Sequence, residues 1–310
     1  MVLDLLQRTL DGLLDGGAYA LVGLGLTFTF GTLRRINLAY GAGAMLAAYC
    51  GAWLHQRTDA PAVVVLIAVV AAAAVIGLYV EWLCFPVAHD DALDATRSGA
   101  PVSGADGREV VALASSFAIW MQLEQLAVLL LPQHLNPFPS LASTSEWMFG
   151  PIAVRPDRLA LALLAVLTVV ALDRWLQATR GGLAWRAAAD QGRAAHLVGI
   201  PVPRVQMLAF AAACGLSGMA AFAVLAIDGQ VTPMFGMWVL LKGLVAAMLG
   251  GLGSVRGVLA GGLLLGVVEA HAQGLFGAAG REFATYGLLF IVLVAPLGRW
   301  LPRRSEAVGV

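Results

Sequence analysis

Residues 240–270 read LLKGLVAAMLGGLGSVRGVLAGGLLLGVVEA. Two apolar runs flank a glycine-rich break, Gly250-Gly251-Leu252-Gly253-Ser254-Val255-Arg256-Gly257. A helix needs about 20 residues to cross a bilayer, and each run is close to that length, the first being short. In water such a segment would aggregate. In a bilayer it reads as two short helices meeting at a flexible joint. Lys242 opens the first run and Glu269 closes the second. Gly261-Gly262 with Gly266 puts small residues on one face at helical spacing, where they let helices approach closely. Two readings stay open: a tightly packed helical hairpin, or a pathway-lining or gating element. Non-helical backbone at membrane depth is tolerated only against protein or a water-filled cavity.

Composition sets the class. Apolar residues make up 60% and charged residues 12%, against about 45–50% and 25% in soluble domains. Mean hydropathy is +0.82. The chain is therefore expected to be an all-α, polytopic integral membrane protein, with residues 1–310 forming a single transmembrane domain. Formal net charge is zero, which gives no reason to expect nucleic acid as a partner. Cys50, Cys84 and Cys214 lie far apart, with neither metal-site nor disulfide-framework spacing.

The first residues do not read as a signal peptide, because Asp4, Asp11 and Asp15 stand where a basic region belongs. Leu3, Leu5, Leu6, Leu10, Leu13 and Leu14 suggest a short amphipathic helix on the membrane surface. Spans are then expected near 16–33, 36–54, 62–83, 110–131, 159–176 and 205–227, followed by the glycine-broken pair and 283–300. That makes eight or nine membrane segments. Polar loops cover 86–109 and 132–158; Trp147, Met148 and Phe149 in the second suit an interfacial anchor. Placing the N-terminus outside puts most arginines inside, among them Arg34, Arg35, Arg180, Arg186, Arg256, Arg303 and Arg304.

Residues 181–204, GGLAWRAAADQGRAAHLVGIPVPR, are too polar to span and fall on the inner side. Leu183, Arg186, Ala187, Ala194, Leu197 and Val198 recur at roughly helical spacing. Gly199, Pro201 and Pro203 end the pattern. Exposed Arg186, Asp190, Arg193 and His196 would make this helix a dock for a soluble partner; an ordinary interfacial helix is the plainer reading.

Three ordered motifs resemble the permeases of the branched-chain amino-acid ABC importer family. In the coupling segment they are Arg186-Ala187, Asp190, Ala194, Leu197, Gly199-Ile200 and Arg204-Val205. Near the N-terminus they are Gly16, Tyr19-Ala20-Leu21, Gly25-Leu26-Thr27, Phe30-Gly31, Ile36-Asn37-Leu38-Ala39 and Gly41. The third is the 241–269 segment itself. The chain departs from the family pattern at Tyr40, where His is usual, at Ser115-Ser116-Phe117, and at Ala295-Pro296-Leu297-Gly298.

The resemblance implies a bacterial inner-membrane permease subunit that is not itself an enzyme. It would pair with a second related permease and dock two cytoplasmic ATP-binding subunits. A periplasmic or extracellular solute-binding protein would deliver the solute. Alternating access would be driven through Arg186, Ala187, Asp190, Arg193, Ala194, Leu197 and Gly199. No cofactor is expected on this chain: it has no G-x-x-x-x-G-K-[ST] phosphate loop, so ATP and Mg belong to the partners.

Charged residues within spans are functional candidates because each is costly there. Lys242, Glu269 and Glu124 qualify, although Lys242 and Glu269 could snorkel or pair. Glu81 is read as an interfacial charge at the inner boundary. Tyr19, Asn37, Tyr40, Gly250, Gly251, Gly253 and Gly262 complete the pathway-or-packing set. Rival cargoes are urea, short amides and aromatic carboxylates. A rival class is an ion-gradient-driven transporter, which shares glycine-broken helices but needs no ATPase dock. An intramembrane enzyme finds no support, since neither H-E-x-x-H nor Gly-x-Ser-x-Gly occurs.

Overall fold

A computed structural model describes residues 2–33, 38–84, 105–131, 136–140, 147–149 and 152–294. Ten helices occur among these residues. They are α1 (Val2–Leu33), α2 (Ala39–Thr58), α3 (Ala62–Cys84), α4 (Ala105–Leu130), α5 (Pro156–Ala178), α6 (Arg180–Leu197), α7 (Val202–Asp228), α8 (Phe235–Gly250), α9 (Val255–Phe276) and α10 (Ala278–Val294). Local chemistry sets several ends. Pro156 fills the first turn of α5 with Asp157 beside it, where a missing N–H and a negative charge are both favourable. Gly229, at φ 70°, closes α7, and Ser254 caps α9 by accepting from Gly257 N at 3.1 Å.

Six of these helices are long and apolar enough to cross a membrane: α1, α3, α4, α5, α7 and α9. α8 is apolar but has 16 residues, about 24 Å of helix. α1 is the hub and packs on α9, α7, α8 and α5. α3 lies along α7, and α2 fits among α3, α4, α7 and α8. Buried residues make up 72% of the apolar windows of α1 and α7, but only 22–33% of those of α3, α4, α5 and α9. The first two form the core; the other four present apolar rims outward, through residues such as Ile67, Phe117, Leu167 and Leu264.

Helix ends sort onto two sides. Phe30, Asp173, Trp185 and the α8–α9 turn line one cavity. Arg8, Arg158, Gln273 and Arg281 line another, drawn from the opposite ends of α1, α5 and α9 and from the start of α10. The arginine bias makes the first side the inner one. On the outer side, Asn136–Pro137 pairs antiparallel with Gln230–Val231, and Trp147–Phe149 with Ile152–Val154. These short ladders lie within or beside the polar loop 132–158. Trp147 and Met148 are exposed there, as an interfacial anchor requires.

Three expectations change. The N-terminal surface helix is not a separate element: α1 runs unbroken through Gly16-Gly17. A Cβ at Gly16 would lie 2.8 Å from the Gly262 carbonyl oxygen, and one at Gly17 would lie 3.1 Å from the Ala162 Cα. These glycines therefore serve helix contact rather than helix initiation. The glycine break is a tight inner-side turn, not a joint at membrane depth. Gly251 (φ 85°) and Gly253 (φ 95°) take the left-handed conformations it needs, and Ser254 N donates to Gly251 O at 3.1 Å. Glu81 lies in the last turn of α3, at the helix end as read, and is buried there against protein. The apolar face expected for the coupling helix is also turned. Trp185, Ala188 and Ala195 face inward, whereas Leu183, Leu197 and Val198 face out; Trp185 is drawn in by its stack on Phe28, and the helix kinks at Gln191 (φ −144°, ψ 81°) before its last turn and a half. Arg34, Arg35, Ile36, Asn37, most of 86–109 and the residues after 294 lie outside the described residues.

Candidate functional site

Two sets of side chains stand out, one buried in the outer half of the helix bundle and one at its inner end. The buried set begins with Lys242 on α8 and Glu269 on α9, exposed by only 1% and 2%. They form an ion pair and do not snorkel. Lys242 Nζ also donates to Thr285 Oγ1 at 2.9 Å and lies 3.5 Å from Glu282 Oε1. Thr285 donates to the same Glu269 oxygen that pairs with Lys242. The other Glu269 oxygen accepts from Tyr19 Oη at 2.7 Å and from Arg281 Nε at 3.0 Å. Arg281 donates in turn to the Tyr19 hydroxyl. The ammonium stands 5.6 Å from the Tyr19 ring centre and 5.9 Å from that of Trp238, within cation–π range. Two cations thus meet two carboxylates, tying together α1, α8, α9 and α10. Tyr19, Glu269 and Arg281 also floor an outer cavity of about 300 Å³, walled by Arg8, Asp11, Asp15 and Arg158.

The sequence singled out Tyr19, Lys242 and Glu269, and the fold brings them together. Arg281, Thr285 and Trp238 were missed. Arg281 and Thr285 are four residues apart and so share a helix face, which was the available signal. Tyr40 belongs elsewhere: its hydroxyl donates to Val22 O at 2.9 Å inside the packed core. Glu124 is half-buried on α4 and accepts from Trp120 Nε1 at 2.9 Å. Gly262 sits against Ala20 of α1, and Gly250 against Gly257 across the turn. Asn37 lies outside the described residues.

The inner set surrounds a cavity of about 980 Å³ between α6 and the α8–α9 turn. Arg186 and Asp190 line it from α6, Asp173 and Gln177 from α5, and Gly253 and Arg256 from the turn. Trp185, which the sequence reading did not single out, stacks on Phe28 of α1 with ring centres 4.7 Å apart. That stack anchors α6 to the hub. Ala187 is half-buried, while Ala194, Leu197 and Gly199 are exposed. Leu197 reaches 87% exposure. The Arg193 side chain is not among those described. Among the described residues, no group of three or more His, Cys, Asp or Glu is placed to hold a metal ion. Cys50 and Cys214 are free thiols.

The family model for the permease component of branched-chain amino acid transport systems matches residues 8–297. The chain belongs to this family. The permease is 26% identical over 306 residues to LivH of Salmonella typhimurium, the high-affinity branched-chain amino acid transport system permease protein, with 94% of each chain covered. It is 26% identical over 298 residues to BraD of Pseudomonas aeruginosa, which carries the same description, with 93% of each chain covered. A shorter match, 27% over 145 residues, reaches FrcC of Rhizobium meliloti, a fructose import permease protein, covering 45% of this chain and 40% of that one. The permease is thus a multi-pass protein of the bacterial inner membrane and not itself an enzyme. Its membership also accounts for the apolar rims, which would be a liability in a soluble protein.

Proposed function

We propose that this permease forms half of the membrane channel of an ATP-driven importer for branched-chain amino acids. It pairs with a second related permease, and residues 1–310 act as one transmembrane domain. Two ATP-binding subunits, which carry the ATP and Mg, dock beneath it, and a periplasmic solute-binding protein supplies the cargo. ATP-driven closure of those subunits displaces α6 and switches the helices between outward- and inward-open states.

The observation that carries this reading is the outward display on α6. Arg186, Asp190, His196, Leu197 and Val198 are exposed on a helix pinned to the hub by Trp185. Large apolar side chains at an inner-side surface, next to charged ones, are what a soluble partner covers. An ion-driven carrier has no need of such a surface. The test is uptake by liposomes holding the permease with its co-purifying subunits. ATP-dependent uptake of labelled leucine, competed weakly by urea, short amides and aromatic acids, is the expected result. ATP-dependent uptake of one of those competitors instead would change the cargo. Uptake that follows an ion gradient and ignores ATP would refute the reading.

A further inference from the structure

At the inner end, one ion pair spans the cavity between α5 and the α8–α9 turn. Arg256 Nε and Nη2 both donate to Asp173 Oδ2, at 3.0 and 2.9 Å. Gln177 Nε2 donates to the other oxygen, Oδ1, at 2.9 Å, so the carboxylate is held from two sides. The end of α5 is thereby tied to the start of α9. α6 follows α5 after one residue, Thr179, whose hydroxyl accepts from Gly182 N at 3.0 Å to cap it. Displacing α6 therefore pulls on the helix end that carries Asp173.

Stability does not explain this pair. Arg256 is 75% exposed and Asp173 20%, and exposed pairs contribute little to folding. Arg256 also sits in the first turn of α9, where the helix dipole disfavours a cation. The element it is attached to is stiff. Gly250 and Gly257 meet backbone to backbone across the turn, and the far end of the α8–α9 hairpin is fastened by Lys242 and Glu269.

Building on the importer reading, we infer that Asp173 and Arg256 are positioning residues for energy coupling. Their pair carries the movement of α6 to the α8–α9 hairpin, and through it to the ionic cluster in the outer half. An exposed pair suits a contact that must loosen and re-form in every cycle, which a fully buried one resists.

The test uses the complete reconstituted complex and reads leucine taken up per ATP hydrolysed. Arg256→Gln and Asp173→Asn are each expected to lower that ratio about two- to fivefold, the most an exposed ion pair shifts an equilibrium. Combining Asp173→Arg with Arg256→Asp is expected to restore it, because the exchange keeps the pair and puts a carboxylate in the first turn of α9, where the helix dipole favours it. A purely structural role would lower uptake and hydrolysis together and leave the ratio unchanged; that result overturns the inference. So does an exchange no better than the single changes. If the wild-type complex takes up leucine without ATP, the importer reading falls first and takes this inference with it.

Discussion

Removing the Glu269 carboxylate gives a sharp quantitative test of the packing scheme. In Glu269→Ala, Lys242 stays 1% exposed without its nearest counter-ion. Breaking a buried pair on one side costs about 3–5 kcal/mol. Several neighbours soften the loss. Glu282 already lies 3.5 Å from the ammonium and is 42% exposed, so it can swing closer. Tyr19 keeps its contact with Arg281, and Thr285 can turn to the Arg281 carbonyl at 3.2 Å. The expected destabilisation is therefore at the low end, about 3 kcal/mol. That is a large share of a total that is usually about 5–15 kcal/mol. Replacing both charges, Lys242→Met with Glu269→Leu, removes the orphan. Arg281 can then turn toward the outer cavity that it lines. The double variant should be about 2 kcal/mol more stable than Glu269→Ala. Exchanging the charges should not rescue, because an ammonium at position 269 would face Arg281, now 3.0 Å from the carboxylate. Denaturant unfolding of the purified permease in detergent micelles measures all four. If Glu269→Ala unfolds within about 0.5 kcal/mol of wild type, a bound on ordinary surface changes, the electrostatic reasoning is wrong.

Four further outcomes are expected. Gly262→Leu should abolish monodisperse protein in size-exclusion chromatography, since even a Cβ there would lie 2.6 Å from the Ala20 Cα; a fully active variant would argue against close packing. Gly199→Pro replaces a residue at φ +85° and removes its N–H bond to His196 O at 3.1 Å. Nothing packs within 4 Å of its Cβ position, so membrane levels should hold while ATP-coupled uptake falls. Reversing charge at Arg186 and Arg193 should uncouple hydrolysis from uptake with the protein still in the membrane; unchanged coupled uptake would sink the α6 docking idea. Tyr40→Phe should cost about 0.5–1.5 kcal/mol, the worth of one hydrogen bond, and leave KM for leucine alone; a raised KM would move Tyr40 from the core to the pathway.

Six of the expected spans coincide with helices long and apolar enough to cross, because the bilayer imposes a length and a composition that are read directly from the residues; the helix near 36–54 falls outside that set. Helix rotation was not legible. The coupling segment has alanine and leucine on several faces, so periodicity could not choose the buried one; Trp185 settled it by finding Phe28 on a helix more than 150 residues away in sequence. Lys242 and Glu269 were visible as costly charges, but their partners Arg281 and Thr285 lie at the start of α10, where a basic residue looks like an ordinary loop charge. For Glu81 the place at a helix end was legible, but not its burial, because closeness to a helix end says nothing about which way the side chain turns. The Gly16-Gly17 pair was read as a helix start because glycine is poor inside helices, yet between apolar helices its missing side chain is what permits contact.

That contact bears on the ionic cluster as well. Gly12 and Gly16 of α1 face Gly262 and Gly266 of α9, each pair one helical turn apart. A Cβ at Gly12 would lie 2.7 Å from the Gly266 carbonyl oxygen. Glycine faces bring two backbones together, and at that separation the side chains flanking them would clash if one helix turned. A rotation of α1 by one residue, about 100°, would also carry Tyr19 away from Glu269 and cost that carboxylate one of its hydrogen bonds. The glycines and the Tyr19–Glu269 bond therefore specify the same register. Replacing the charges with apolar residues should leave α1 and α9 packed through their glycines while α8 and α10 lose their ionic tie to α9. The cluster spans four helices and fastens one end of the hairpin whose other end bears Arg256, so its loss should appear as lost coupling before it appears as lost folding.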